Sequence, residues 1–189
     1  MKKKLIIVAH PNYEQSLHIK GFIEAVKAKA KDTDIHFLDS KGNFDVTKEQ
    51  ELLSKYEIIT FAYPTWWYTA PWTFKKWMDE VLTPGFAYSF TGLEGFKLKG
   101  KKYAIVQSVG NVEQTYVHNQ GNRYTKHELD ASIIATLHMM NTAWLATNKV
   151  ATNDKEFLLA EIYMYGSALS TDNNWDAAVE KYLKEIDSL

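Results

Sequence analysis

Three short runs of almost unbroken apolar residues limit the fold more than any other feature of the chain: KLIIVA at Lys4–Ala9, IITFAY at Ile58–Tyr63 and YAIVQSV at Tyr103–Val109. A strand with one face in water alternates apolar and polar residues. A run that is apolar at nearly every position needs cover on both faces, as in the middle of a parallel sheet. Amphipathic stretches separate the runs, the order expected of βαβ units. IHFLD at Ile35–Asp39 is shorter and more alternating, which suits an edge strand, and AWLATNKV at Ala143–Val150 reads as a fifth strand.

Helix signals fill the gaps. TKEQ at Thr47 and TKHE at Thr125 fit the capping box, in which a Thr hydroxyl and an acid or amide three residues on satisfy each other's free backbone donors. Leu129, Ile133, Leu137 and Met140 recur at helical spacing, as do Trp175, Val179, Tyr182, Leu183 and Ile186. With no repeat or Gly/Pro/Ser-rich linker, residues 1–189 read as a single domain. The expected fold class is α/β, a flavodoxin-like five-stranded parallel sheet of order 2-1-3-4-5 with helices on both faces. Ligands of such sheets lie beyond the carboxyl ends of the central strands, so the loops after Ala9, Tyr63 and Val109 become the candidates.

The first loop, HPNYEQS, carries His10 and places Ser16 ahead of the amphipathic stretch Leu17–Ala30. A hydroxyl beside the free N–H groups of a helix start suits either a simple N-cap or a phosphate. The second holds YPTWWYTAPWTFKKWMDEV at Tyr63–Val81. From Pro71 onward Phe74, Trp77, Met78, Val81 and Leu82 keep helical spacing and belong to the core. Trp66, Trp67 and Tyr68 do not. They lie between strand and helix, where exposed rings suit a planar ligand or a partner subunit. The third loop, Ser108–Tyr124, lacks periodicity; Gly110 and Asn111 let backbone approach a ligand, and Tyr116, His118 and Arg123 offer a proton donor, an imidazole and a cation.

Several functions are disfavoured. The 22 basic and 23 acidic side chains give no field to draw nucleic acid or anionic lipid. No run approaches a membrane span, and the apolar run after the opening lysines stops at Ala9, too short for a signal peptide, so a cytoplasmic protein without membrane insertion is expected. Without cysteine, redox chemistry needs a bound cofactor. G-x-G-x-x-G, the P-loop and G-x-S-x-G are missing, and no histidine spacing indicates a metal.

LIIVAHPNYEQS, YPTWWYTAPWTFKKWMDEVLTPGFAY, SVGN and YVHNQGNRYTKHEL together resemble the flavodoxin-like NAD(P)H dehydrogenase (quinone) family over residues 4 to 145. Its most specific pattern is read at Pro64, Trp67, Tyr68, Pro71, Lys75, Trp77, Asp79 and Val81. The resemblance implies FMN, taking hydride from NADH or NADPH and passing electrons to a quinone-like acceptor. FAD is less favoured, because relatives that use it carry a C-terminal extension. His10 and the run Ser16, Leu17, His18 and Ile19 match the family's flavin-phosphate loop. Thr65, Trp66, Trp67 and Tyr68 match the segment along the isoalloxazine, and Ser108, Val109, Gly110 and Asn111 the loop at its polar edge. The family often has Asn at Ile19 and Thr-Thr-Gly-Gly at Ser108–Asn111. In quinone-reducing relatives a tyrosine and a histidine six residues later assist charge changes on the acceptor. Tyr116 matches the first and is the expected catalytic group, while Asn122 stands at the second and leaves His118 as a substitute. Relatives are commonly homodimers with flavin near the interface. Others are ancillary subunits of potassium efflux systems, which implies an alternative: a flavin-binding regulatory subunit of a transporter with little turnover of its own.

Overall fold

The computed structural model describes residues 2–143, 146, 157–166 and 175–187. Five parallel strands form one sheet: β1 Lys4–Val8, β2 Thr33–Phe37, β3 Ile58–Pro64, β4 Lys102–Val109 and β5 Leu158–Tyr165, in the order β2-β1-β3-β4-β5. The helices are α1 His18–Lys29, α2 Val46–Ser54, α3 Trp72–Val81, α4 Lys126–Leu129, α5 Ala131–Thr142 and α6 Trp175–Asp187.

The strand period of two sorts the apolar runs into two cores. Leu5, Ile7, Ile59, Phe61, Tyr63, Tyr103 and Ile105 pack with Leu53 of α2, Phe74, Trp77 and Val81 of α3, and Ile133, Leu137 and Met140 of α5. Ile6, Val8, Ala62, Ala104, Val106 and Ile162 face the other way, onto Phe22, Ile23 and Val26 of α1 and Val179, Tyr182 and Ile186 of α6. The continuous runs are therefore buried twice over, and β1, β3 and β4 are central, as their sequences require. The Trp77 indole donates to Glu49 Oε2 at 2.9 Å, so the largest core ring also satisfies its polar atom.

Three expectations move. The second strand runs from Thr33 to Phe37, not from Ile35 to Asp39, because its register is fixed by Lys4↔Thr33 through Val8↔Phe37. The fifth strand is Leu158–Tyr165. Most of Ala143–Val150 lies outside the described residues, and Ala143 itself is the left-handed cap that ends α5. The cap of α2 is Asp45, which accepts from the Lys48 amide, so Thr47 falls inside the helix. At Thr125 the capping box is formed as expected, with Glu128 reaching back to the cap.

Candidate active site

The carboxyl ends of β1, β3 and β4 open into a crevice of two adjoining parts. One, of about 370 Å³, is lined by His10, Asn12, Gln15, Ser16, Leu17, His18, Pro64, Thr65, Trp66, Ser108, Val109, Gly110 and Gly166. The other, of about 200 Å³, is lined by Thr65, Trp67, Tyr68, Gly110, Asn111, Tyr116 and Asn122. Thr65 and Gly110 border both. Hollows of similar or greater size elsewhere, such as that beside Lys4, Asp32 and Asp187 at the other end of β1, do not gather these loops.

The first part has the character of an anion site. Leu17 already has helical angles, and Gly21 N donates to Leu17 O at 2.9 Å, so the amides before it in the first turn have no partner within the helix. His18, at the head of α1, is buried, and neither ring nitrogen has a hydrogen-bond partner. A buried polar atom left so costs about 1–3 kcal/mol, and a phosphate at the helix N-terminus would satisfy it. Ser16, half-buried in the same wall, adds a hydroxyl. Across the cleft, an added Cβ at Gly110 would meet nothing within 4 Å, so the bare backbone is open to close approach by a ligand. These features fit a phosphorylated, planar cofactor.

The aromatic cluster divides as its spacing requires. Phe74 and Trp77 are fully buried. Trp66 and Thr69 pair through Trp66 N to Thr69 O at 2.9 Å and Thr69 N to Trp66 O at 3.2 Å, and the two residues between them, Trp67 and Tyr68, have φ of 49° and 68°. Positive φ at both central positions is the pattern of a type I′ turn, which Asn-Gly suits and aromatic residues do not. Each left-handed residue without glycine costs about 1–2 kcal/mol. The turn holds the Trp67 ring out at 92% exposure.

Ring contacts join the three loops. His10 meets Trp66 edge-on at 6.0 Å between centroids, and Tyr68 meets Tyr116 at 6.5 Å. His10 Nδ1 accepts from Asn12 N at 3.1 Å, and burial holds the imidazole below its usual pKa. Tyr116 donates to the Gly110 carbonyl at 3.0 Å, and burial, with Tyr68 nearby, pushes its phenol up. The long third loop is internally bonded: Asn122 N donates to Thr115 O at 2.7 Å and Asn119 N to Arg123 O at 2.8 Å.

The crevice thus gathers all the expected site residues except one. Ile19 is fully buried in the core beneath α1, so its side chain does not reach the cleft, and the neighbouring His18 borders it instead. His118 does not line the crevice and pairs instead with Glu128 at 2.6 Å. Asn122 stays, its Oδ1 accepting from Tyr68 OH at 3.3 Å. Asn12, Gln15 and Gly166 also line the crevice. The amides lay in plain view in HPNYEQS, whereas Gly166 follows the strand that sequence reading displaced.

The family model described as flavodoxin-like fold matches residues 2–184. The chain belongs to this family. Within the flavodoxin-like family it is 31% identical over 194 residues to an uncharacterised NAD(P)H oxidoreductase, YdeQ, of Bacillus subtilis, covering 99% of this chain and 96% of that one. General stress protein 14 of Treponema denticola, solved in complex with FMN, superposes with a TM-score of 0.80 at 26% identity, covering 98% of each chain. An NADPH-quinone reductase from P. pentosaceus gives 0.78 at 26%, covering 97% of each. Among the described residues no helix is long and apolar enough to cross a membrane.

Proposed function

We propose that the protein is an FMN-dependent NAD(P)H oxidoreductase that reduces small quinone-like acceptors in this crevice. The observation that carries the reading is His18, which borders the cleft at the head of α1 and whose two ring nitrogens are buried without hydrogen-bond partners. That arrangement asks for an anion, and the terminal phosphate of FMN supplies one. The FMN complex of the Treponema denticola relative and the reductase names of the other two support the same reading.

Bound flavin would supply two-electron chemistry, accepting hydride from NADH or NADPH and reducing the acceptor. The chain's part is to hold, orient and shield. Ser16, His18 and the first-turn amides of α1 would hold the flavin phosphate, with His10 and Leu17 beside them. Pro64, Thr65, Ser108, Val109 and Gly110 would form the wall for the flavin ring, and Trp66, Trp67, Tyr68 and Asn111 would cover the ring and exclude water. Tyr116, kept protonated by its raised pKa, turns its proton from the Gly110 carbonyl to the acceptor as charge builds there.

The test uses purified protein saturated with FMN under anaerobic conditions. NADH or NADPH should bleach the flavin band, and a benzoquinone should restore it within the turnover time. A band that neither nucleotide bleaches faster than free FMN would overturn the reading.

A further inference from the structure

Gln107 is fully buried near the end of β4 and links a buried chain of polar contacts to the crevice. Behind it lies a buried ion pair. Lys126 Nζ donates to Asp130 Oδ1 at 3.1 Å, and both side chains are almost wholly enclosed. The other carboxylate oxygen, Asp130 Oδ2, faces Gln107 Nε2 at 2.7 Å and Tyr163 OH at 3.0 Å. On its far side, Gln107 Oε1 lies 2.7 Å from Thr65 Oγ1, and Thr65 borders both parts of the crevice. Lys126 opens α4 and Asp130 is the cap between α4 and α5; both are buried.

The polarity of this chain follows from donor and acceptor chemistry alone. Tyr163 also lies 2.6 Å from Glu161 Oε1, but whichever carboxyl takes the phenolic proton, Asp130 still turns an oxygen to Gln107. A proton shared between Lys126 and Asp130 would sit at Oδ1 and change nothing at Oδ2. Gln107 must therefore turn its NH₂ to Asp130 and its oxygen to Thr65. An amide oxygen only accepts, so the single hydroxyl proton of Thr65 points at Gln107 and its lone pairs are left for the crevice. A buried ion pair is seldom the most stable filling of a core, since apolar side chains of similar volume often do as well.

We propose that Gln107, oriented by Asp130, is a positioning residue that fixes Thr65 as a hydrogen-bond acceptor toward the crevice, so that the site selects a ligand presenting an O–H or N–H there. This rests on the flavin reading above, in which the donor is the imide N–H of the ring or a hydroxyl of the ribityl chain.

Two measurements test it. In the ligand-free protein, the Gln107 carboxamide protons should exchange with solvent far more slowly than those of exposed glutamines. Exchange at the same rate would overturn the lock. In fluorescence titrations, Thr65→Val and Gln107→Met should each weaken FMN binding by roughly three- to tenfold, as expected for one hydrogen bond. Thr65→Ser should stay within about twofold of wild type, and the double variant should bind no more weakly than either single one, because both remove the same interaction. Unchanged affinity in Thr65→Val, or losses that multiply in the double variant, would overturn the proposal; Thr65→Val leaves the buried pair intact and guards against loss of folding. Titration with 3-methyl-FMN identifies the donor: the imide predicts the Thr65→Val loss already in wild type, the ribityl chain predicts none. Wild-type protein that fails to bind FMN while its Gln107 amide stays protected would remove the flavin reading and overturn the ligand half of the proposal, leaving only the lock.

Discussion

His18 and Ile19 are neighbours with opposite fates. Helical geometry turns Ile19 into the core beneath α1 and leaves His18 at the border of the cleft, its ring edge-on to Trp175 and its nitrogens buried without hydrogen-bond partners. Replacing His18 by Leu should leave the fold at least as stable, since it removes two unsatisfied polar atoms, yet weaken FMN binding by roughly tenfold or more, as hydrogen bonds to a charged group are worth about 1.5–3 kcal/mol. Titration of the variant checks this. Tyr116→Phe should retain flavin and lower kcat/KM for a quinone by about tenfold, the equivalent of one donor lost in the transition state; unaltered kinetics would remove Tyr116 from the reaction. His10 gives a pH dependence. Burial depresses its folded pKa, so its contribution to stability is complete above the ordinary histidine range and is lost as pH falls through that range to the folded value. Urea midpoints of wild type should therefore fall more between pH 7 and pH 5 than those of a His10→Gln variant. At this scale the sequence showed which loops mattered, but not the facing of Ile19 and His18. The dissent of Gln107 within YAIVQSV was the visible trace of the buried network, whereas nothing in the sequence marks Lys126 and Asp130, four residues apart, as buried.

At the scale of elements, the turn Trp66–Thr69 sets stability against function. Its two central residues adopt left-handed angles that aromatic side chains resist. Replacing Trp67 and Tyr68 by Asn and Gly should relieve this and raise Tm by about 2–8 °C, taking one to two kcal/mol of relief and 2–4 °C per kcal/mol at this chain length. The same change should weaken FMN binding at least tenfold by removing the rings. A lower Tm would show that these rings hold the fold and not a ligand. Central strands and α3 were legible because a doubly buried strand and an amphipathic helix leave unmistakable periods. The fifth strand was not. Leu158–Tyr165 alternates half-buried and buried positions and includes Glu161, and AWLATNKV, although less apolar, drew the assignment to itself. The cap at Asp45 was missed because Asp and Thr both serve as N-caps within two residues of each other.

For the whole molecule, stability and binding are separated in space. Trp77, Phe74 and the two faces of the sheet form the mass of the core, and the crevice lies at the carboxyl edge, built from loops that the core holds in place. Trp77→Phe loses apolar burial and leaves Glu49 without the indole donor, so unfolding free energy should fall by about 2–4 kcal/mol while FMN affinity stays within twofold. A parallel loss of affinity would contradict that separation. The strand order was legible from the chain because an edge-like second run and three doubly buried ones leave few ways to wind a parallel sheet. The central claim is that a flavin lies where the three loops meet. A crystal structure of the protein soaked in FMN tests it most directly: the phosphate should sit against Ser16, His18 and the head of α1, with the ring between Gly110 and the Trp66–Tyr68 turn. Density for FMN elsewhere, or a crevice closed by its own side chains at saturating FMN, would contradict it.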